Sequence, residues 1–124
     1  MRKTFVESRG FTTRLRELLD DETYRALQNE LMAQPEKGDV MPGCGGLRKV
    51  RVADPRRRRG KRGGARVIYL NIPEAERIDM IAIYGKDERD DLSKEQKRAL
   101  RALAEQARRE AIESFRQGTS GPSD

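Results

Sequence analysis

The sequence predicts an α+β domain, in which a small antiparallel sheet of about four strands carries two N-terminal helices and one C-terminal helix. Apolar residues recur at helical spacing near both ends of the chain, and three strand-forming segments follow one another in the middle. The connections between these strands favour antiparallel neighbours, because a parallel crossover needs about a dozen residues and normally a helix. We expect a single domain over residues 1–117, followed by a flexible polar tail over 118–124.

The helices are predicted from apolar spacing and from their end signals. Residues 11–19 and 21–35 repeat apolar side chains every three or four positions, with acidic residues between them to cap the second helix. Ser93 and Gln96 form a capping box ahead of a long helix that is expected to end near Gln117. The predicted apolar face of this helix contains Leu92, Leu100, Leu103, Ala104, Ala107, Ala111 and Phe115.

The strands are predicted from short apolar segments with turn signals between them. They lie at 3–8, 47–53, 65–72 and 77–84. The stretch 38–46, GDVMPGCGG, is rich in glycine and is expected to be a loop.

Several classes of chemistry are excluded by composition. The chain has no histidine and a single cysteine, Cys44, so an intrachain disulfide, a cysteine zinc site and imidazole acid–base catalysis are ruled out. We therefore expect no metal and no cofactor. The sequence has no apolar run of signal-peptide or membrane-spanning length, so we expect a cytoplasmic protein without a membrane partner.

The positive charge of the chain is concentrated in one segment. Residues 48–66 hold ten cations against one acid, Asp54, which is +9 locally, whereas the whole chain carries +6. The rest of the chain is therefore slightly acidic, and the pattern predicts a positive patch that binds a polyanion, most simply nucleic acid.

Three cations within this segment are candidates for chemistry. Side chains alternate between the faces of a strand, so Val50 and its neighbours leave Lys49 and Arg51 together on one face. A hairpin between 47–53 and 65–72 brings Arg66 close to both of them. Crowded cations favour an anion between them, although a solvated strand face and an ordinary edge arginine account for these residues equally well.

Residues after the last strand extend the candidate site. Lys86 and Arg89 are placed to reach the same cationic face, and Tyr69 and Tyr84 offer phenols that stack on a base, unless they are half-buried core residues. The acids from Asp87 to Asp91, including Glu88, are interpreted as charges at a helix N-terminus.

The run RRRRGKRGGAR is interpreted as a mobile arm that contacts backbone phosphates without reading sequence, with Gly63-Gly64 as its hinge. The predicted nucleic-acid-binding residues are Arg48, Arg56, Arg57, Arg58, Arg59, Lys61, Arg62, Tyr69, Tyr84 and Arg89.

The chain resembles the RelE/HigB-type toxins of bacterial toxin–antitoxin systems, and the HigB-like branch most closely. Three motifs carry the resemblance in register: GDVMPGCGGLRKVRVA, GKRGGARVIYL and IYGKDERDDLS. It extends over about residues 3–110. The resemblance implies the RelE-like, microbial-RNase-like α+β fold and a metal-independent endoribonuclease that cuts mRNA in the ribosomal A site and inhibits translation.

By motif match, the resemblance places the catalytic cations at Lys49, Arg51 and Arg66, with Lys86 as a fourth. We expect Lys49 to act as general base and the two arginines to hold the phosphate. The implied partners are the ribosome, mRNA and a cognate antitoxin, expected to be a helix-turn-helix HigA-like protein.

One departure from the family pattern leaves the acid–base pair open. Some members stack a C-terminal tyrosine on the substrate base, whereas this chain reads DDLSKEQ in that region. Either Tyr84 or Tyr69 takes its place, or the ribosome positions the substrate.

Two alternative functions are also open: a ParE-like toxin, which shares the fold but inhibits DNA gyrase by binding, and a noncatalytic nucleic-acid-binding module.

Overall fold

The structure, a computed structural model, describes residues 3–53, 64–85, 88 and 91–120. Its elements are β1 (Thr4–Glu7), α1 (Arg9–Leu18), α2 (Asp21–Ala33), β2 (Asp39–Val40), β3 (Arg48–Val52), β4 (Ala65–Ile72), a 3₁₀ turn (Pro73–Ala75), β5 (Arg77–Gly85) and α3 (Lys94–Ser120). The predicted α+β class, with two helices before the main strands and one after them, is confirmed.

The sheet has five strands in the order β1-β5-β4-β3-β2. The strands from β2 to β5 pair antiparallel, which confirms the prediction for β3, β4 and β5. β1 adds to the edge of β5 in parallel, with Thr4 opposite Arg77 and Glu7 opposite Met80. The sheet is therefore mixed and has one strand more than the predicted four.

The additional strand is β2, which lies inside the stretch 38–46 that we expected to be wholly loop. Asp39 and Val40 pair with Lys49 and Arg48 before the chain turns back through glycines with positive φ. The glycine-rich composition correctly predicted the turn. It gave no signal for the two-residue strand, which forms only because its backbone pairs with β3.

The helix ends follow local hydrogen bonding. Ser8 caps α1 by accepting the Phe11 N–H at 3.0 Å, and its hydroxyl donates to the Ile81 carbonyl at 2.7 Å, which joins α1 to β5. The predicted capping box is present: the Gln96 N–H donates to Ser93 Oγ at 3.1 Å, and the Ser93 N–H donates to Gln96 Oε1 at 2.9 Å. Because α3 continues to Ser120, residues 118–120 belong to this helix rather than to the predicted tail, of which 121–124 lie outside the described residues.

Two hydrophobic clusters cover the two faces of the sheet. The helix-pair face, which includes Val50, Val52, Val67 and Tyr69, packs against α1 and α2. The α3 face carries Ile68, Leu70 and Ile72 of β4, which pack against α3. Leu103 was predicted to lie on the buried apolar face of α3. It is 45% exposed, so this part of the prediction is wrong.

No helix in the described part of the chain combines the length and apolar character required to cross a membrane.

Candidate active site

The register between β3 and β4 brings the predicted cations together on the α3 face. Arg51 is directly opposite Arg66, and Lys49 is opposite Ile68. Directly opposed residues on antiparallel strands have Cα atoms about 5 Å apart, and residues two apart on a strand are separated by about 7 Å. The expected proximity of Arg66 to Arg51 and Lys49 is confirmed at the level of the strand register.

These three cations differ in how firmly the protein surrounds them. Arg66 is only 9% exposed, Lys49 is half-buried and Arg51 is exposed. Arg66 Nη1 lies 3.4 Å from the carbonyl oxygen of Gly64, to which it donates. The site thus combines a guanidinium held inside the protein with two cations nearer the solvent.

Gly64 is packed against β3 and does not behave as the predicted hinge. A Cβ built on it would lie 1.7 Å from the carbonyl oxygen of Val52, a backbone atom that cannot move aside cheaply. Glycine is required because the two backbones approach so closely. The consequence is a fixed start for β4, with Arg66 two residues further on.

Tyr84 is the aromatic residue that the sheet places beside the cations. It is directly opposite Arg66 on β5, and its side chain is partly buried against the α3-side cluster. Its position on the α3 face agrees with the expectation that it lies near the site.

The prediction that Tyr69 stacks on a base is wrong. Tyr69 lies on the helix-pair face and is fully buried. Its hydroxyl donates to the Pro35 carbonyl at 2.7 Å and accepts the Gly38 N–H at 2.9 Å. Burial raises the pKa of this phenol, and its role is to join β4 to the segment that follows α2.

Arg48 has a structural role rather than the predicted role in RNA binding. It is on the opposite face of β3 from Lys49, directly across from Tyr69. Its Nη1 donates to the carbonyls of Gly38 and Glu36 at 2.7 and 3.2 Å. Side chains alternate between the two faces of a strand, so the rule that placed Lys49 on one face also predicts that Arg48 lies on the other.

An ion pair that the sequence did not predict connects α1 to the segment after β5. Both terminal nitrogens of Arg14 donate to the Glu88 carboxylate at 2.7 Å, and Glu88 also accepts the Gly85 N–H at 2.9 Å. The hydrogen bond from Arg14 is the main reason that the pKa of Glu88 falls to about 2. Glu88 therefore pairs with a distant arginine and was wrongly interpreted as a charge at the N-terminus of α3.

The remaining predicted site residues lie outside the described residues. They are Lys86 and Arg89, and the basic run of Arg56, Arg57, Arg58, Arg59, Lys61 and Arg62. Within the described ranges, no group of three or more histidine, cysteine, aspartate or glutamate side chains is arranged to hold a metal ion.

Comparison with known proteins identifies one matching family. A sequence model of the family described as "RelE toxin of RelE / RelB toxin-antitoxin system" matches residues 8–119, from the cap of α1 to the end of α3. Two similar solved structures come from E. coli. The intact RelBE toxin–antitoxin complex contains a chain with 20% identity and a TM-score of 0.49, with 70% of this chain and 99% of that chain covered. The isolated RelE toxin has 19% identity and a TM-score of 0.49, with 82% and 98% covered.

Proposed function

The chain belongs to the RelE toxin family of toxin–antitoxin systems, and from this premise we propose that it is a ribosome-dependent mRNA endoribonuclease. The toxin cuts mRNA in the ribosomal A site without a metal ion and so inhibits translation. The observation that carries the proposal is the opposition of Arg51 and Arg66 on adjacent strands, with Lys49 beside them on the same face.

This arrangement suits a transition state that gains negative charge on phosphorus. The 2′-oxygen of the substrate attacks the adjacent 3′-phosphate, the new O2′–P bond forms, and the P–O5′ bond breaks. The intermediate phosphorane carries two negative charges, and preorganised cations stabilise it more than they stabilise the singly charged ground state. The products are a 2′,3′-cyclic phosphate and a 5′-hydroxyl.

The burial of each cation supports its proposed role. Arg66, which the protein encloses most, holds the non-bridging phosphate oxygens in place, and Arg51 binds them from the solvent side. Lys49, acting through its unprotonated amine, takes the proton of the attacking 2′-hydroxyl and becomes a cation beside the developing phosphorane. Lys86, matched only through its motif, remains a proposed fourth cation that protonates the leaving 5′-oxygen.

Ribosome binding is the proposed task of the basic run over 56–62. Its charges contact phosphates of ribosomal RNA, and such contacts determine the association rate and the salt dependence more than the cleavage step. Tyr84 and Arg89 are proposed to contact the mRNA near the cleaved bond. The proposed site of action is the cytoplasm.

The proposed protein partner is a cognate antitoxin. We expect a helix-turn-helix HigA-like protein, encoded next to the toxin, that covers the cationic face or prevents entry into the ribosome. Co-expression of the neighbouring gene tests this, because the correct partner restores growth and co-purifies with the toxin.

Arg66→Ala is the decisive variant for the nuclease proposal. Removing one preorganised donor should slow single-turnover cleavage of ribosome-bound mRNA by about 10²–10³-fold. Primer extension locates the cut, and the 5′-hydroxyl product distinguishes the mechanism from hydrolysis to a 5′-phosphate. Normal cleavage by a folded Arg66→Ala protein would overturn the assignment.

Controls separate the chemistry from loss of fold. Arg25→Ala removes an exposed cation of α2, the helix that packs on the opposite face of the sheet from the three cations, and should cleave like the wild type. Arg66→Lys keeps a charge but loses the planar fork, and should recover only part of the rate. If the wild type leaves ribosome-bound mRNA intact but inhibits supercoiling by gyrase, the ParE-like alternative replaces this proposal.

A further inference from the structure

A cleft lies directly beside the three cations, between the β2–β3 ribbon and the segment that leads into α3. Its volume is about 510 Å³, which is within the range of small-molecule sites. Residues that line it include Asp39, Val40, Met41, Lys49, Asp91 and Leu92.

Lys49 makes the cleft continuous with the candidate active site. The residue lines the cleft, and it is two positions from Arg51 on the same face of β3. A nucleotide whose phosphate is held by Arg51 and Arg66, with its 2′-hydroxyl at Lys49, therefore has its base within reach of the cleft.

The apolar part of the lining is suited to the face of a nucleobase. Val40 is 55% exposed, which is unusual for a large apolar side chain, while Met41 is 8% exposed and Leu92 is half-buried. Together they form the apolar part of the lining. Bases that leave a stack bind to such surfaces in single-stranded RNA recognition.

The polar part of the lining carries charges of both signs. Asp39 and Asp91 supply exposed carboxylates, and Lys49 and Lys97 supply ammonium groups. The ammonium groups attract the phosphate, and the carboxylates are left as hydrogen-bond acceptors for the base. Guanine alone among the four bases presents two adjacent donors, N1–H and the N2 amino group, on its Watson–Crick edge, which matches one carboxylate.

We propose that this cleft binds the base of the nucleotide that carries the cleaved phosphate, and that it favours guanine through a carboxylate of Asp39 or Asp91. The inference rests on the proposed function, because it assigns base selection to the same site. It gives the β2–β3 turn a role in choosing where the mRNA is cut.

Methionine-methyl NMR of the full chain tests binding without requiring cleavage. Guanosine 3′-monophosphate should shift the methyl resonance of Met41, whereas Met80 in the helix-pair core and exposed Met32 on α2 should not move. Uridine 3′-monophosphate should bind about tenfold more weakly. A Met41 signal that is unmoved, or that responds equally to ribose 5-phosphate, would refute the cleft as a base site.

Two carboxylate variants measure the selectivity. Asp39→Asn and Asp91→Asn retain shape while each removes one charge, and at least one should lose most of the tenfold preference for guanosine over uridine. Asp21→Asn, an exposed position of α2, is the matched control and should retain it. Unchanged selectivity in both cleft variants would refute guanine recognition.

The proposed function and the cleft inference can fail separately. If Met41 responds to the guanosine nucleotide but ribosome-bound mRNA stays intact, the cleft remains and the nuclease proposal is refuted. If mRNA is cut but Met41 does not respond, the nuclease proposal remains and the cleft inference is refuted.

Discussion

The two faces of the sheet are built from the same strands, but one is covered by apolar side chains and the other presents a cluster of cations. The helix-pair face is sealed by large side chains of α1 and α2, with Phe11, Leu27 and Leu31 at most 1% exposed. The α3 face is apolar along Ile68, Leu70 and Ile72 but ends in Arg66, with Lys49 and Arg51 on the neighbouring strand. Because side chains alternate along a strand, β3 and β4 can build a core on one side and collect charge on the other.

The largest effect that tests this comparison comes from two neighbouring residues on β3. Lys49→Met should reduce the single-turnover cleavage rate by about 10²–10⁴-fold, the usual contribution of a general base, with little change in the free energy of unfolding. Arg48→Met should leave the rate nearly unchanged but lower the free energy of unfolding by about 1–2 kcal/mol, because two backbone carbonyls lose a charged donor. Cleavage assays and urea unfolding are measured on both variants. A loss of cleavage in Arg48→Met together with a loss of stability in Lys49→Met would contradict the division between the two faces.

A smaller effect is expected from the buried phenol on the helix-pair face. Tyr69→Phe should lower the free energy of unfolding by about 1–3 kcal/mol, since the Gly38 N–H and the Pro35 carbonyl both lose their partner. Cleavage by the folded variant should match the wild type. A folded Tyr69→Phe protein with a specific defect in RNA binding would restore the rejected stacking role.

The smallest effect concerns the ion pair between α1 and the segment after β5. The pKa of Glu88 is lowered from 4.5 to about 2, so its contribution to stability is present above pH 4.5 and is lost as the pH falls toward 2. The difference in unfolding free energy between the wild type and Glu88→Gln should therefore shrink over this interval. Both side chains are more than a third exposed, so salt should weaken the difference as well.

Glu105→Gln provides a matched comparison for this pair. Glu105 pairs with Arg101 within one helix at 3.4 Å, with both side chains at least half exposed. Its substitution should change stability less than Glu88→Gln does at neutral pH, because the Arg14–Glu88 pair has two short hydrogen bonds and joins separate elements.

Local pattern was sufficient to predict much of this molecule. Alternation in 47–53 placed Lys49 and Arg51 on one face, and antiparallel pairing with 65–72 placed Arg66 close to both, as the register bears out. The same rule assigns Tyr69 to the face opposite Ile68 and Leu70. The prediction that Tyr69 stacks on a base failed because the chemistry of its side chain was given more weight than its position in the strand.

Other features were beyond local reasoning because they depend on contacts between distant segments. The parallel addition of β1 to β5 and the pairing of Arg14 with Glu88 have no signal in either segment alone. Leu103 fits the helical spacing of its neighbours, yet it is 45% exposed and lines an open cleft beside β1 and β5 instead of packing into the core. The cleft is made by three separate segments and appears only when they are assembled.

The parallel contact of β1 with β5 also determines the order in which the chain can be assembled during its own synthesis. Ser8 and Ile81, which bond across this edge, are 73 positions apart. The N-terminal strand and the two helices are synthesised before β3, β4 and β5, so the apolar side chains of Phe11, Leu27 and Leu31 must wait for their partner surface. Forming a contact between such distant residues is slow. A newly made toxin therefore passes through a period in which Lys49, Arg51 and Arg66 have been synthesised but the sheet that brings them together is not complete.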